Sequence, residues 1–365
     1  MKRYSAFEPP EYVGWKADPD LVDAFEATVA RDPDRQRLIA DLGPDDLLEL
    51  YRRLVRARLH DIALARWVRQ GVISKAWLGT GEEASTVGPV YALKPGVDYA
   101  VPMIRNAAAG CDMGMPLDDM LRAYLASADS PSGGRDLHVG SVKHHVLQPV
   151  SPVGTMVPVA AGVALATRMR HTEAVVLNWI GDGTTKAGVV HEGLNFAAVA
   201  KLPVVFIIQN NQVALGTRLD QHHVARDFTD WPAAYGMTGW GFDGNNVLDA
   251  YAATQLAVDR CRHGGGPVLL QAETFRMGGH ATHDEREARE TFPPELFDYW
   301  GKRDPVGLFE EYLKRSGLPD SRLEDVEHSV IREVDLAVEQ ALASRAVLPS
   351  PSTALDGVYA NPVRD

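Results

Sequence analysis

The sequence predicts an α/β fold, a parallel sheet flanked by helices, and three observations carry that prediction. An apolar, β-branched run, AVVLNWI at 174–180, ends abruptly in Gly181-Asp182-Gly183. A helical pattern follows over residues 185–200, and a second apolar run, LPVVFIIQNN, then ends on Asn210 and Asn211. A strand, a helix and a strand in that order make a crossover unit, whose right-handed connection puts both strands parallel in one sheet.

Around this unit the elements follow in order. Residues 1–43, rich in Pro, Asp and charge, read as an extended arm with one short helix around Leu21 to Ala30. From Asp45 the apolar positions Leu47, Leu50, Leu54, Leu59, Ile62 and Leu64 recur near helical spacing, and Gly71 stands ready to end the helix. VDYAVPMIR after Gly96 reads as a short strand, and MVPVAAGVALATRM at 156–169 as a small-residue helix able to pack closely at an interface. A further helix over about Val247 to His263 leads into a third strand, GPVLLQAETF. The chain divides into an arm (1–43), an α/β domain (44–315) and a C-terminal helical extension with a tail (316–365).

Composition narrows the class of function. With 37 basic and 49 acidic residues the net charge is −12, which argues against a surface that tracks nucleic-acid phosphates, so any phosphate site is local. No uninterrupted apolar run is long enough for a membrane span, and the N-terminus lacks the apolar stretch of a secretory signal, so a cytoplasmic protein is expected. Cys111 and Cys261 are far apart and outside any C-x-x-C pattern, so both read as plain thiols.

The chemistry lies at the ends of the two central strands. At the carboxyl edge of a parallel sheet, Asp182 and Asn211 are hard oxygen ligands of the kind that suits Mg²⁺ held jointly by protein and a diphosphate. Either residue alone reads as a turn residue. Together, separated by one helix, they read as a site. The segment GDGTTKAG does not provide the G-x-G-x-x-G of a nicotinamide-binding turn.

GDG, a helix of this length and NN after an apolar strand resemble the thiamine-diphosphate signature. Further segments follow in order: RQGVI, GTGEEA, VHEGLNFAAVAKLPVVF, DGNNV, GGGPVLLQAETFR, GGHATHDE and RDPV. Over residues 45–315 the chain thereby resembles the α subunits of 2-oxo acid dehydrogenase E1 components. The resemblance implies the thiamine-diphosphate-binding fold, with thiamine diphosphate and Mg²⁺ as cofactors. It implies a β subunit in an α₂β₂ heterotetramer, since the family's glutamate that activates the aminopyrimidine sits on that subunit, and a lipoyl domain of an acyltransferase as acceptor. It further implies that Asp182, Asn211 and the Val213 carbonyl ligate the metal, and that Gly183 and Thr184 present amides to the diphosphate. Arg105 and His280 would grip a phosphate, and His138 and His280 would act near the reacting centre. Ser151 and Val153 would lie under the aminopyrimidine, with Val153 as the wedge that bends the cofactor.

The chain also departs from the family. Ile104 replaces a tyrosine before Arg105, Gln209 stands where some branched-chain members carry arginine, and Ala281 replaces a phosphorylatable serine. GRDLHVGS is more similar to the branched-chain type than to the pyruvate type, and Met103-Ile104 agrees with an aliphatic substrate. The resulting expectation is oxidative decarboxylation of a branched-chain 2-oxo acid. The alternatives are a pyruvate or acetoin dehydrogenase subunit, or a noncatalytic paralogue.

Overall fold

Strand β1 (Tyr99–Val101) starts a five-stranded sheet completed by β2 (Val176–Gly181), β3 (Val204–Asn210), β4 (Thr238–Asp243) and β5 (Val268–Glu273). The computed structural model describes residues 1–225 and 227–356. The spatial order is β1-β2-β3-β5-β4 and every pairing is parallel. β2 and β3 are buried along their whole length, which explains why their sequences are apolar without alternation. Both faces of the sheet are covered. Val176, Ile180, Phe206 and Ile208 face helices α3 (Met156–Met169) and α4 (Gly188–Val199), whereas Leu177, Val205, Ile207 and Leu270 face α5 (Val247–Arg262).

The long helix α1 (Pro44–Arg69) and α2 (Ala84–Tyr91) extend the fold beside the sheet, and the C-terminal helix α6 (Asp320–Ala343) packs along α1. The α1 helix ends at Arg69 with Gln70 as its C-cap, and Gly71 takes the left-handed conformation (φ 69°) that glycine supplies without strain. The close packing anticipated for the small-residue helix is present on one side: a Cβ on Gly193 of α4 would come within 2.9 Å of the Pro158 nitrogen of α3. On its other side α3 presents Gly162 to open space.

The helix expected around Leu21 to Ala30 is present, but the rest of the first 43 residues are not extended. Helices Pro10–Val13, Pro19–Ala30 and Pro33–Ala40 fold onto the α1 side, burying Tyr12, Val22, Phe25 and Ile39. The Pro and Asp content that suggested extension instead starts helices. Pro10, Pro19 and Pro33 each open a helix, where the missing N–H costs nothing, and the Asp18 and Asp32 carboxylates cap the helices that follow them. The C-terminal extension is helical as expected, and residues 357–365 of its tail lie outside the described residues. No helix among the described residues is long and apolar enough to cross a membrane.

Candidate active site

The register of β2 and β3, with Gly181 opposite Gln209, sets Asp182 and Asn211 just beyond the carboxyl ends of adjacent strands. Asp182 is 2% exposed. Its Oδ1 accepts the Gly183 N–H at 2.9 Å, and its Oδ2 is buried with no partner. Burial pushes its pKa up to about 6, against the lowering effects of the Gly183 N–H and the Arg105 charge. Gly183 cannot be larger, because a Cβ there would meet that of Ala214 at 2.4 Å. Its amide is spent on orienting Asp182, so a diphosphate would have to compete for it.

Asn211 is held by Glu82, whose Oε1 accepts the amide N–H at 3.0 Å, while its own Oδ1 accepts the Val213 N–H at 3.3 Å. Glu82 also pairs with Arg105, with Nε 3.0 Å from Oε2. Arg105 keeps Nη2 buried and unpartnered. Sequence reasoning had passed over Glu82, although it lies in the quoted GTGEEA segment. Its role emerges only when α2 is packed against the strand ends. Gln209, where some members carry arginine, adds no charge near the strand ends. Its amide is tied inward, donating to Ser85 Oγ at 2.6 Å and accepting from Asn106 at 3.1 Å.

A cavity of about 310 Å³ opens beside Arg105 and collects six of the predicted residues: Arg105, His138, Ser151, Val153, Thr184 and His280. Trp77, Met103 and Ile104 supply apolar wall. Val153 projects from it 66% exposed, available to a bound molecule. Asp182, Asn211 and Val213 do not line this cavity. They stand at the strand ends beyond Arg105, which joins the two regions through Glu82.

His138 is aimed by Asp136, a residue the sequence reading had not singled out. The His138 Nδ1 lies 2.8 Å from Asp136 Oδ1, which also accepts the His138 backbone N–H at 3.0 Å. Burial alone would raise the Asp136 pKa, but these bonds and the histidine charge outweigh it and hold the carboxyl low. His280 is pushed down to about 4, first by burial and then by the Arg276 and Arg105 charges. It is therefore neutral near pH 7, able to donate from one nitrogen and accept at the other. Arg276 was also overlooked. Burial and the Arg105 charge lower it to about 10, so it remains cationic at neutral pH.

The donor set fits a metal–diphosphate group. An unpartnered buried carboxylate oxygen asks for a cation, and an unpartnered guanidinium N–H beside it asks for an anion. The family described as "Dehydrogenase E1 component" matches residues 51–350. This chain belongs to that family. Its E1 α relatives cover most of its length. The 2-oxoisovalerate dehydrogenase subunit alpha of Bacillus subtilis is 33% identical over 324 residues, 87% of this chain and 97% of that protein. The pyruvate dehydrogenase E1 component subunits alpha of Acholeplasma laidlawii and Zymomonas mobilis are 31% and 30% identical, over 82% and 84% of this chain and 85% and 86% of theirs. The chain is an E1 α subunit of the thiamine-dependent 2-oxo acid dehydrogenases, oxidoreductases acting on 2-oxo acids.

Proposed function

We propose that this E1 α chain works with a β subunit as a cytoplasmic α₂β₂ enzyme that oxidatively decarboxylates branched-chain 2-oxo acids and passes the acyl group to a lipoyl domain of an acyltransferase. Thiamine diphosphate supplies the electron-accepting ring at which the 2-oxo acid loses CO₂. Asp182, Asn211 and the Val213 carbonyl hold Mg²⁺, and Arg105, Thr184 and Gly183 face the diphosphate. Val153 and Ser151 support the aminopyrimidine, and His138 and His280 donate hydrogen bonds near the reacting carbon.

The observation that carries the substrate choice is the apolar wall of Trp77, Met103 and Ile104 in the same cavity as Arg105 and His280. Such a wall favours an aliphatic side chain over the methyl of pyruvate. Each additional buried methylene favours the larger substrate by roughly 1–3 kcal/mol, or 10–200-fold in kcat/KM. The test is turnover of the α plus β enzyme on pyruvate, 2-oxobutanoate, 2-oxoisovalerate and 4-methyl-2-oxopentanoate. We expect the branched acids to exceed pyruvate by at least about tenfold. A preference for pyruvate, the substrate named for two of the relatives, would reverse the assignment.

His280→Ala is expected to lower turnover by about a hundredfold or more while the α₂β₂ assembly elutes unchanged. Normal acyl transfer by that variant would remove His280 from the chemistry.

The partner surface we favour is the solvent side of α3 and α4. Val159, Met169, Val189, Phe196 and Val199 are exposed there, beside the open Gly162. An exposed apolar set on two packed helices is the composition of an interface core. Gly162→Arg should abolish co-purification of the β subunit without lowering the melting temperature of α alone. Retained co-purification would move the interface elsewhere.

A further inference from the structure

The short helix Leu219–His222 brings a histidine to the metal-ligand end of the site, where no functional role was assigned to it. His222 Nε2 lies 3.9 Å from Asp182 Oδ2, and its side chain is 12% exposed. Both ring nitrogens of His222 and the Asp182 Oδ2 are buried without hydrogen-bond partners. His222 Nε2 and Asp182 Oδ2 thus approach each other, too far apart to bond and too enclosed to be satisfied by bulk water. A separation of 3.9 Å leaves the two side chains free to address a third group together.

The neighbourhood fixes the short helix that carries the ring, without partnering the ring itself. His223, next in the chain, stacks on Phe228 at 4.1 Å and meets Lys186 Nζ at 2.7 Å through Nδ1. Leu219 N–H donates to the Gln212 carbonyl, fastening the helix to the turn after Asn211. The Ile104 side chain offers no donor, and Gln209 spends its amide on Ser85 and Asn106. The Gly183 N–H on the Asp182 side is already given to Asp182 Oδ1, so His222 would add a side-chain donor there.

We propose that His222 is a cofactor-binding residue that donates an N–H to a non-bridging oxygen of the diphosphate whose metal Asp182 holds. An imidazole is a poor choice as a Mg²⁺ ligand, which prefers oxygen, but a good donor to phosphate oxygen. The inference rests on the thiamine-diphosphate reading of the same site and adds to it a contact from the segment after Asn211.

The test is calorimetry with the α plus β complex in Mg²⁺, using thiamine diphosphate and inorganic diphosphate as separate probes. His222→Phe keeps the ring's bulk without a donor, His222→Ala removes both, and His222→Gln restores an N–H. We expect about tenfold weaker binding of both probes to the Phe and Ala variants, with most of the affinity recovered in the Gln variant. Unchanged binding by His222→Phe overturns the proposal. So does an equal loss in all three variants, which would make His222 a packing residue, or a loss confined to thiamine diphosphate, which would place the contact away from the phosphates. A wild-type complex that binds inorganic diphosphate but not thiamine diphosphate would overturn the thiamine reading and leave the His222 comparison to be decided with the simpler probe. Binding of neither probe would overturn both.

Discussion

Asp182→Asn is expected to abolish Mg²⁺-dependent binding of thiamine diphosphate and, in the same stroke, to stabilise the empty protein. The first effect follows from removing a charged oxygen from the metal shell. Partners one step removed from a metal are worth ten- to a hundredfold in affinity, so a direct ligand should cost on the order of a hundredfold or more. The second follows from burial. The Asp182 carboxyl is nearly inaccessible and titrates at about 6, above its ordinary 3.8. A carboxyl whose folded pKa is raised binds its proton more tightly in the native state. Native stability therefore falls as pH rises from about 4 to 6, and above 6 the ionised group costs roughly 3 kcal/mol. Asparagine keeps an oxygen to accept the Gly183 N–H and carries no charge. In urea unfolding at pH 7.5 without cofactor the variant should be more stable than the wild type, with the difference shrinking towards pH 4. Equal stability at both pH values would mean that Asp182 is not a strained ionised group. Retained Mg²⁺-dependent cofactor binding would defeat the metal assignment.

That tension between stability and binding bears on how much of the site could be seen in the sequence. Asp182 and Asn211 were legible because a parallel sheet places successive strand ends side by side, so two motifs one helix apart must meet. The central strands were legible for the same reason, since burial on both faces removes alternation. β4 was not. Its sequence, TGWGFD, has two glycines in six positions, and Gly239 is required by backbone proximity, a Cβ there coming within 2.0 Å of the Leu269 carbonyl oxygen. Nothing in its composition reports a pairing with a strand some thirty residues later. Glu82 and His222 were hidden for a third reason. Each acts through a contact with a residue of known type, and only the packed fold says which carboxylate faces which nitrogen. Of the helices before residue 43, the one over Pro19–Ala30 was legible from its apolar positions, whereas Pro10–Val13 and Pro33–Ala40 were hidden because proline in the first turn was taken as a sign of extended chain.

The arm that proved to be folded leads to the second large effect, expected for Arg58→Ala. Arg58 is fully buried in the middle of α1 and bonds three carboxylates from distant parts of the chain: Glu8 at 3.1 Å, Glu83 at 2.5 Å and Asp304 at 2.9 Å. The Tyr12 ring covers its guanidinium at 4.7 Å. Burial raises the carboxyl pKa of Asp304, but Arg58 and Arg3 outweigh it and hold Asp304 below its usual range. At Glu83 burial wins over Arg58 and the pKa is raised. Removing the guanidinium leaves these acids buried with only Arg3 nearby, a change that ordinarily costs about 3–5 kcal/mol. The sign with pH can be worked out from Asp304. Its depressed pKa supplies stability that is present above about 3.8 and lost as pH falls through the folded value, so the deficit of Arg58→Ala should be largest near neutrality and narrow in acid. The consequence extends to the site. Glu83 Oε2 accepts the Gly81 N–H at 2.8 Å, and the adjacent Glu82 holds both Asn211 and Arg105. Loosening Glu83 therefore frees the loop that sets the metal ligand and the phosphate-facing arginine. Denaturant titration and cofactor calorimetry on Arg58→Ala should show a large loss of stability together with weaker binding. A variant that is destabilised yet binds thiamine diphosphate normally would show that the arm supports the fold without bearing on the site.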